Sequence, residues 1–230
     1  MKLFLDTANV SQVAEITAWG VLDGVTTNPS LVLKEGKDSS THSTSSGQAG
    51  SLQVFKKTVL EMCKLVPCVS AQVTATDSAG MIKQGLEYAA WHKHVVVKVP
   101  MTTEGLKAIT FFASKKIKTN TTLVFSAAQA MLAAKAGATI ISPFIGRLDD
   151  QGEDGMNLIA EIMEIWQQHG FTTEVLVAST RHPRHIVDAA RLGAHICTIP
   201  YDVFKKLPNH GLTDSGLKKF QEDWKKVSGR

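Results

Sequence analysis

Short apolar runs recur along the chain, and each gives way to a stretch with helical spacing. The runs are Leu3–Asp6, Gly24–Thr27, Val69–Val73, Val95–Val99, Thr119–Val124, Thr139–Ser142, Glu174–Ala178 and His195–Ile199. They are short, and most are apolar on both faces. That pattern predicts parallel strands covered by helices, not a sheet with one face in water. The segments between them predict helices at Ser11–Trp19, Leu52–Leu65, Ser78–Trp91, Thr102–Lys116, Ser126–Ala136, Gly155–His169 and Pro183–Leu192. Their ends carry stop and start signals. Thr102 suits an N-cap, and Glu104 places a carboxylate in the first turn, favourable against the helix dipole. Gly137, Gly170 and Gly193 follow three of the helices as C-terminal signals, and Pro183 suits a first turn. Eight strands alternating with helices over 230 residues predict an α/β fold, a single-domain (β/α)8 barrel spanning residues 1–230. An open doubly wound sheet is the alternative. No GxGxxG motif follows a strand, which weighs against its dinucleotide-binding form.

Two segments stand apart from this alternation. Lys37–Ser51, KDSSTHSTSSGQAGS, has no periodicity and predicts a flexible Ser/Thr-rich surface insertion. Near the C-terminus, Ser215–Val227 predicts an amphipathic helix with Leu217, Phe220 and Trp224 on one stripe. That stripe fits either its own barrel or another subunit.

Charge and composition narrow the classes of function. A net charge of +4 mildly favours anionic small molecules. No run of five Lys/Arg occurs and aromatics are only 7%, so no nucleic-acid partner is expected. No window approaches the roughly 18 apolar residues of a membrane span, and the run before Asp6 is too short for a signal-peptide core. Cys63, Cys68 and Cys197 are odd in number and lack metal-ligand spacing, as free thiols in a reducing compartment would. The expectation is a soluble cytoplasmic protein with no membrane partner.

In a (β/α)8 barrel the site lies at the C-terminal ends of the strands. Polar residues gather there on nearly every strand. They are Asp6, then Thr26–Thr27–Asn28, Gln72, Lys98, then Asn120 with Thr122, Ser142–Pro143–Phe144 with Arg147, Ser179 with Arg181, and Pro200–Tyr201. Lys98 is the unusual one, an ammonium inside Val-Val-Val-Lys-Val-Pro. A lysine desolvated among valines has a lowered pKa, and its neutral amine can attack a carbonyl to form a Schiff base. The protonated imine then serves as electron sink for cleaving a neighbouring C–C bond without metal or cofactor. The plain alternative is a structural lysine paired with Asp6 or a glutamate. Arg147 and Arg181 suit a phosphate, since arginine binds it through charge-assisted, often bidentate bonds. His182 and His185 lie three apart, but no third ligand is in view and no metal is expected. Asp23 and the Leu148–Asp149–Asp150 run suit turns and surface pairs.

The segments LFLDTAN, DGVTTNPSL, VVVKVPMTTEGL, KTNTTLVFSAAQA, ISPFIGRLDD and ASTRHPRH, in this order, resemble the transaldolase family. The likeness is strongest to its short branch, which also holds the fructose 6-phosphate aldolases, and it covers nearly the whole chain apart from Lys37–Ser51. It implies that Lys98 is the Schiff-base lysine and that Asp6 takes the proton of the C4 hydroxyl as the C3–C4 bond breaks. It implies that Asn28 and Asn120 hold substrate hydroxyls, that Phe144 lines the substrate site, that Thr122 positions a catalytic water, and that Arg147, Ser179 and Arg181 bind phosphate. The implied reaction needs no cofactor. It moves a dihydroxyacetone unit from a ketose phosphate (sedoheptulose 7-phosphate or fructose 6-phosphate) to an aldose phosphate (glyceraldehyde 3-phosphate or erythrose 4-phosphate), the transaldolase step of the pentose phosphate pathway. The likeness also implies a homo-oligomer, a pentameric ring or a decamer.

The branch markers are mixed. Phe144 and Asn120 match transaldolases, where the aldolase branch has a tyrosine at the position of Phe144. Gln72 matches the aldolases, where transaldolases carry a glutamate that relays protons through a water. A glutamine can bond that water but cannot ionise. A fructose 6-phosphate aldolase releasing free dihydroxyacetone is therefore the second expectation, and a non-catalytic sugar-phosphate-binding barrel the third.

Overall fold

The computed structural model describes residues 1–38 and 48–229. In chain order its elements are β1 (Lys2–Asp6), α1 (Val10–Thr17), β2 (Gly24–Thr26), α2 (Pro29–Asp38), α3 (Gln48–Leu65), β3 (Val69–Gln72), α4 (Ser78–Ala89), β4 (Val95–Pro100), α5 (Thr103–Ser114), β5 (Thr119–Val124), α6 (Ala127–Lys135), β6 (Ile140–Pro143), α7 (Ile145–Asp149), α8 (Gly155–His169), β7 (Glu174–Val177), α9 (Pro183–Arg191), β8 (Ile196–Pro200), α10 (Tyr201–Phe204) and α11 (Gly211–Val227). Each strand pairs in parallel with the next, and β8 returns to β1, closing an eight-stranded barrel. The predicted (β/α)8 barrel is thus the fold observed.

Alternation along the strands divides the apolar residues into two cores. Leu5, Val95, Val97, Ile141, Val175, Val177 and Cys197 face outward and pack under the helices with residues such as Ile16, Met62, Ile109, Phe112 and Ile162. Phe4, Val96, Ile140, Leu176 and Ile196 face inward and fill the barrel interior. Gly24 makes room for that filling. A Cβ there would lie 2.6 Å from the Phe4 ring.

The helices begin as their sequences direct. Thr102 accepts from Gly105 N at 2.9 Å and caps α5, as expected. Asp77 and Ser126 cap α4 and α6 in the same manner. Gly170 ends α8 in the left-handed conformation, φ 65°, where a side chain would be strained.

Three differences from expectation concern the connections. Of the predicted loop at 37–51, residues 37–38 close α2 and residues 48–51 open α3, while 39–47 lie outside the described residues. An 18-residue helix overrides the weak propensity of Gly50 and Ser51, because its stability comes from packing rather than from single residues. The C-terminal helix starts at Gly211, ahead of the predicted Ser215, with His210 as its cap. None of its residues is buried, and Phe220 and Trp224 are 70% and 69% exposed, so the apolar stripe does not rest on its own barrel. Two short helices, α7 and α10, follow β6 and β8 where none was predicted. At five and four residues they are too short to leave a helical period. Among the described residues no helix is long and apolar enough to cross a membrane.

Candidate active site

The C-terminal ends of the strands surround a cavity of about 400 Å³. Seven of the ten residues singled out from the sequence line it, namely Asp6, Asn28, Lys98, Phe144, Arg147, Ser179 and Arg181. They come from β1, the β2–α2 turn, β4, the β6–α7 junction, α7 and the loop after β7. Such convergence on one concavity is what a small-molecule site requires.

Lys98 sits in the wall of this cavity at only 3% exposure. Val97 and Val99 point outward, so the pleat turns Lys98 inward, above Val96. Its Nζ donates to Thr27 O at 3.1 Å, and it lies 6.0 Å from the Phe144 ring centroid. Lys98 and Asp6 make no direct ion pair, so the simple structural pairing weighed above does not occur. Burial pushes the Lys98 ammonium below its ordinary pKa; the Asp6 charge opposes this and Arg147 adds to it. Burial likewise raises the Asp6 carboxyl, against the pull of Lys98 and of a hydrogen bond from Thr26. Burying a charge costs several kcal/mol, and a partner held at a distance recovers only part of that. Burial thus works against the charged form of each group, while each charge and the Thr26 hydroxyl work for it.

Asp6 Oδ1 accepts from Thr26 Oγ1 at 2.7 Å, and Thr26 Oγ1 lies 2.7 Å from Thr198 Oγ1. Thr26 on β2 stands opposite Asp6 in register, and Thr198 on β8 stands opposite Phe4, two residues before Asp6, with β1 between the two strands.

On the opposite wall Phe144 lies between two cations, with Arg147 Cζ 5.1 Å from its ring centroid. Arg147 and Arg181 are brought together by a close backbone approach. Ile145 N donates to Ala178 O, and a Cβ on Gly146 would lie 2.1 Å from Ser179 O. Only glycine fits there. Ser179 itself adopts φ 63°, uncommon outside glycine. Arg181 Nη2 donates to Asp150 at 2.6 Å, in a pair exposed on both sides that contributes orientation more than stability. The His182 and His185 rings lie against each other, with centroids 3.8 Å apart. His185 Nδ1 accepts from Arg181 N at 3.2 Å and its Nε2 faces Asp149 at 3.4 Å.

Three sequence-predicted residues stand elsewhere. Asn120 is fully buried, donating to Ser70 Oγ at 3.1 Å and accepting from Ser142 Oγ at 2.7 Å. It bridges β3 and β6 from β5, in register with Lys98, and is not among the residues lining the cavity. Thr122 is also buried, and its Oγ1 has no hydrogen-bond partner among the described residues. Gln72 pairs in register with Lys98 but lines a neighbouring cavity of about 370 Å³, with Pro29, Thr74, Pro100 and Thr102. Asn28 lines the main cavity while its Oδ1 accepts from Leu31 N, capping α2 ahead of Pro29.

The cavity also contains residues that the sequence left without a role. In the sequence Thr26 and Ser142 stand out only as strand-end polar groups, and Thr198 does not stand out at all. Thr198 reads as one more β-branched strand residue in ICTIP. Only its inward register, two positions beyond Ile196, would have flagged it. Tyr201 turns its hydroxyl away to Glu15 on α1.

The chain is similar to known proteins over nearly its whole length. A protein of Brevibacillus brevis named "Probable transaldolase" is 54% identical over 225 residues, spanning 97% of this chain and 98% of its own. Another so named, from Methanococcus maripaludis, is 52% identical over 97% of each chain. One from Caldicellulosiruptor saccharolyticus is 48% identical over 99% of this chain and 98% of its own. The sequence profile described as Transaldolase/Fructose-6-phosphate aldolase matches residues 3–230, and with a closed barrel carrying a buried strand-four lysine at its mouth, the chain belongs to that family of enzymes.

Proposed function

We propose that this protein is a transaldolase working through a Schiff base on Lys98. The observation that carries the proposal is a buried lysine in the wall of a cavity that also presents one carboxylate and two arginines. The lowered pKa of Lys98 supports a neutral amine able to attack the C2 carbonyl of a ketose phosphate. Loss of water from the adduct gives a protonated imine. Asp6, ionised, takes the C4 hydroxyl proton; the O–H bond pair left on that oxygen becomes the second C4–O bond of the aldehyde, and the C3–C4 bond pair moves into the enamine on Lys98. An aldose phosphate leaves. The enamine then attacks a second aldose phosphate, Asp6 returns its proton to the new hydroxyl, and water hydrolyses the imine.

The other residues fit supporting parts. Arg147 and Arg181, with Ser179 lining the same cavity, suit the phosphate of donor and acceptor in turn. Arg181 gives one Nη2 bond to Asp150 and keeps further N–H groups for a ligand. Asn28 and Ser142 suit substrate hydroxyls. Asn120 acts at one remove, by orienting Ser142. Thr122, with its unpartnered buried hydroxyl, suits the water of imine hydrolysis. Phe144 supports transfer over aldol cleavage to free dihydroxyacetone, because it offers no hydroxyl to protonate the enamine. Gln72 is the one residue favouring the aldolase reading. Sedoheptulose 7-phosphate or fructose 6-phosphate as donor would place the enzyme in the pentose phosphate pathway, and free cysteines suit a cytoplasmic setting.

We further read the assembly as a homo-oligomer in which α11 docks on a second copy. The exposed stripe of Leu217, Phe220 and Trp224 supports this. Light scattering behind gel filtration should give a mass of several chains, and truncation after Asn209 should lower it.

Trapping tests the chemistry. Incubation with fructose 6-phosphate and borohydride should leave a reduced adduct on Lys98 in the mass spectrum. Erythrose 4-phosphate should then be required for net turnover, since glyceraldehyde 3-phosphate as acceptor only rebuilds fructose 6-phosphate. No adduct on a protein that still binds the sugar phosphate would sink the proposal, and product formed without an acceptor would move it to the aldolase.

A further inference from the structure

We infer that Thr198 is a positioning residue for Asp6, acting through the hydroxyl of Thr26. The inference rests on reading Asp6 as the group that takes and returns the substrate proton. Thr26 has one hydroxyl hydrogen, and Asp6 Oδ1, 2.7 Å away, accepts it. Thr26 Oγ1 also lies 2.7 Å from Thr198 Oγ1. Its hydrogen is already committed, so Thr198 must be the donor there. The result is a directed chain, Thr198 to Thr26 to Asp6, running from β8 through β2 to the carboxylate on β1.

The chain is well placed to hold. Thr26 and Thr198 are 1% and 2% exposed, so water does not compete for either hydroxyl. Thr180 Oγ1 donates to Thr198 O at 3.0 Å and fixes the β8 backbone beneath it. Hydrogen bonds in such a chain polarise one another, so the Thr26 bond to Asp6 is stronger for having Thr198 behind it. The chain also has a sign. It delivers a hydrogen to Asp6 and so favours the ionised form, which is the form that accepts a proton. Running the chain backward would leave the Thr198 hydrogen to find another acceptor inside the barrel.

The charged groups around Asp6 are few. Lys98 faces it from β4, and Arg147 and Arg181 line the same cavity from α7 and the loop after β7. From β2 and β8, the strands that flank it, only the two hydroxyls arrive. Lys98 and Arg147 change with substrate, because one becomes an imine and the other meets phosphate. The hydroxyl chain stays through every step and keeps Oδ1 engaged, which leaves Oδ2 as the oxygen that handles the substrate proton.

The test is an infrared titration of the Asp6 carboxylate, isolated as the difference between wild type and Asp6→Asn, in Thr198→Val and Thr198→Ser. Thr198→Val keeps shape and removes the hydroxyl. Its Asp6 midpoint should rise by roughly half a pH unit. The acid limb of kcat/KM should move up with it, with KM changed less than kcat. Thr198→Ser should stay near wild type. An unmoved midpoint in Thr198→Val overturns the inference, as does an equal shift in Thr198→Ser, which would mark a packing role. Should Thr198→Val fail to fold, Thr26→Val decides. It breaks the direct bond and should raise the midpoint further, and an unmoved midpoint there overturns the chain. The titration needs no turnover, so a missing adduct on Lys98 would sink the proposed reaction while the infrared result still judges the chain.

Discussion

The two halves of the barrel interior are built from the same strands and could hardly differ more. In the lower half Phe4, Val96, Ile140 and Ile196 form an apolar plug. Two residues further along the same strands, pointing the same way, stand Asp6, Lys98, Ser142 and Thr198. A single step of the pleat turns filling into chemistry. The lower layer contributes stability by burial alone. The upper layer carries two charges that burial disfavours, and steadies them with hydroxyls and a backbone carbonyl. The plug thus provides the rigid floor on which a disfavoured arrangement can be maintained.

Exchanging the character of one residue in each half should break the comparison most sharply. Lys98→Met should lower kcat by at least about 10⁴-fold and abolish the borohydride adduct. Its thermal midpoint should hold or rise, since an apolar chain replaces a buried charge. A marked loss of stability instead would place Lys98 with the plug.

The counterpart is Phe4→Ala. Deleting a fully buried ring from the floor should cost about 3–5 kcal/mol in urea unfolding, because a lumen closed by eight strands cannot collapse around the space. The borohydride adduct on Lys98 should still form in the folded fraction. A stable variant that no longer traps substrate would mean that the plug acts on the chemistry directly.

These halves were not equally legible in the sequence. The eight strands were predicted to within a residue or two at each end, because short runs apolar on both faces suit a sheet covered by helices and little else. Lys98 was legible for the opposite reason, as a charge where only apolar residues belong. Access to the cavity was not legible. Asn120 and Asn28 look alike as strand-end amides, yet one is sealed between Ser70 and Ser142 and the other lines the cavity. Those partners of Asn120 lie 50 and 22 residues away, so no local pattern reports them. Thr198 was hidden because threonine is an ordinary strand residue. Its meaning comes only from Thr26, 172 residues distant.

Within the upper half, the cations can be separated from one another. Arg147 lowers the pKa of Lys98 and lines the cavity beside it. Arg147→Gln should raise KM for a phosphorylated ketose by about 10²-fold, with little effect on an unphosphorylated one. It should also raise the pKa of Lys98. The amine must be neutral to attack, so activity rises with pH through that pKa, and the limb governed by Lys98 should move to higher pH. A KM change with no movement of the limb would leave Arg147 as a phosphate ligand alone.

The smallest effect is expected at the border between the two cavities. Gln72 pairs with Lys98 across β3 and β4, but its side chain lines the neighbouring cavity with Thr74, Pro100 and Thr102. It ends β3, the strand whose inward position below it is Ser70. A glutamine there can hold a water and cannot take its proton. Gln72→Glu adds an ionisable group without adding volume. If proton relay through a water limits imine hydrolysis, kcat for transfer should rise by about two- to fivefold, with a new ionisation on the acid side of the profile. A carboxylate so near Lys98 would also raise the lysine's pKa and slow the first attack, which holds the net gain down. Pre-steady-state trapping separates the two, because imine formation should slow while hydrolysis quickens. Unchanged rates in both steps would show that Gln72 belongs with the scaffold, and that the working half of the interior ends at Lys98.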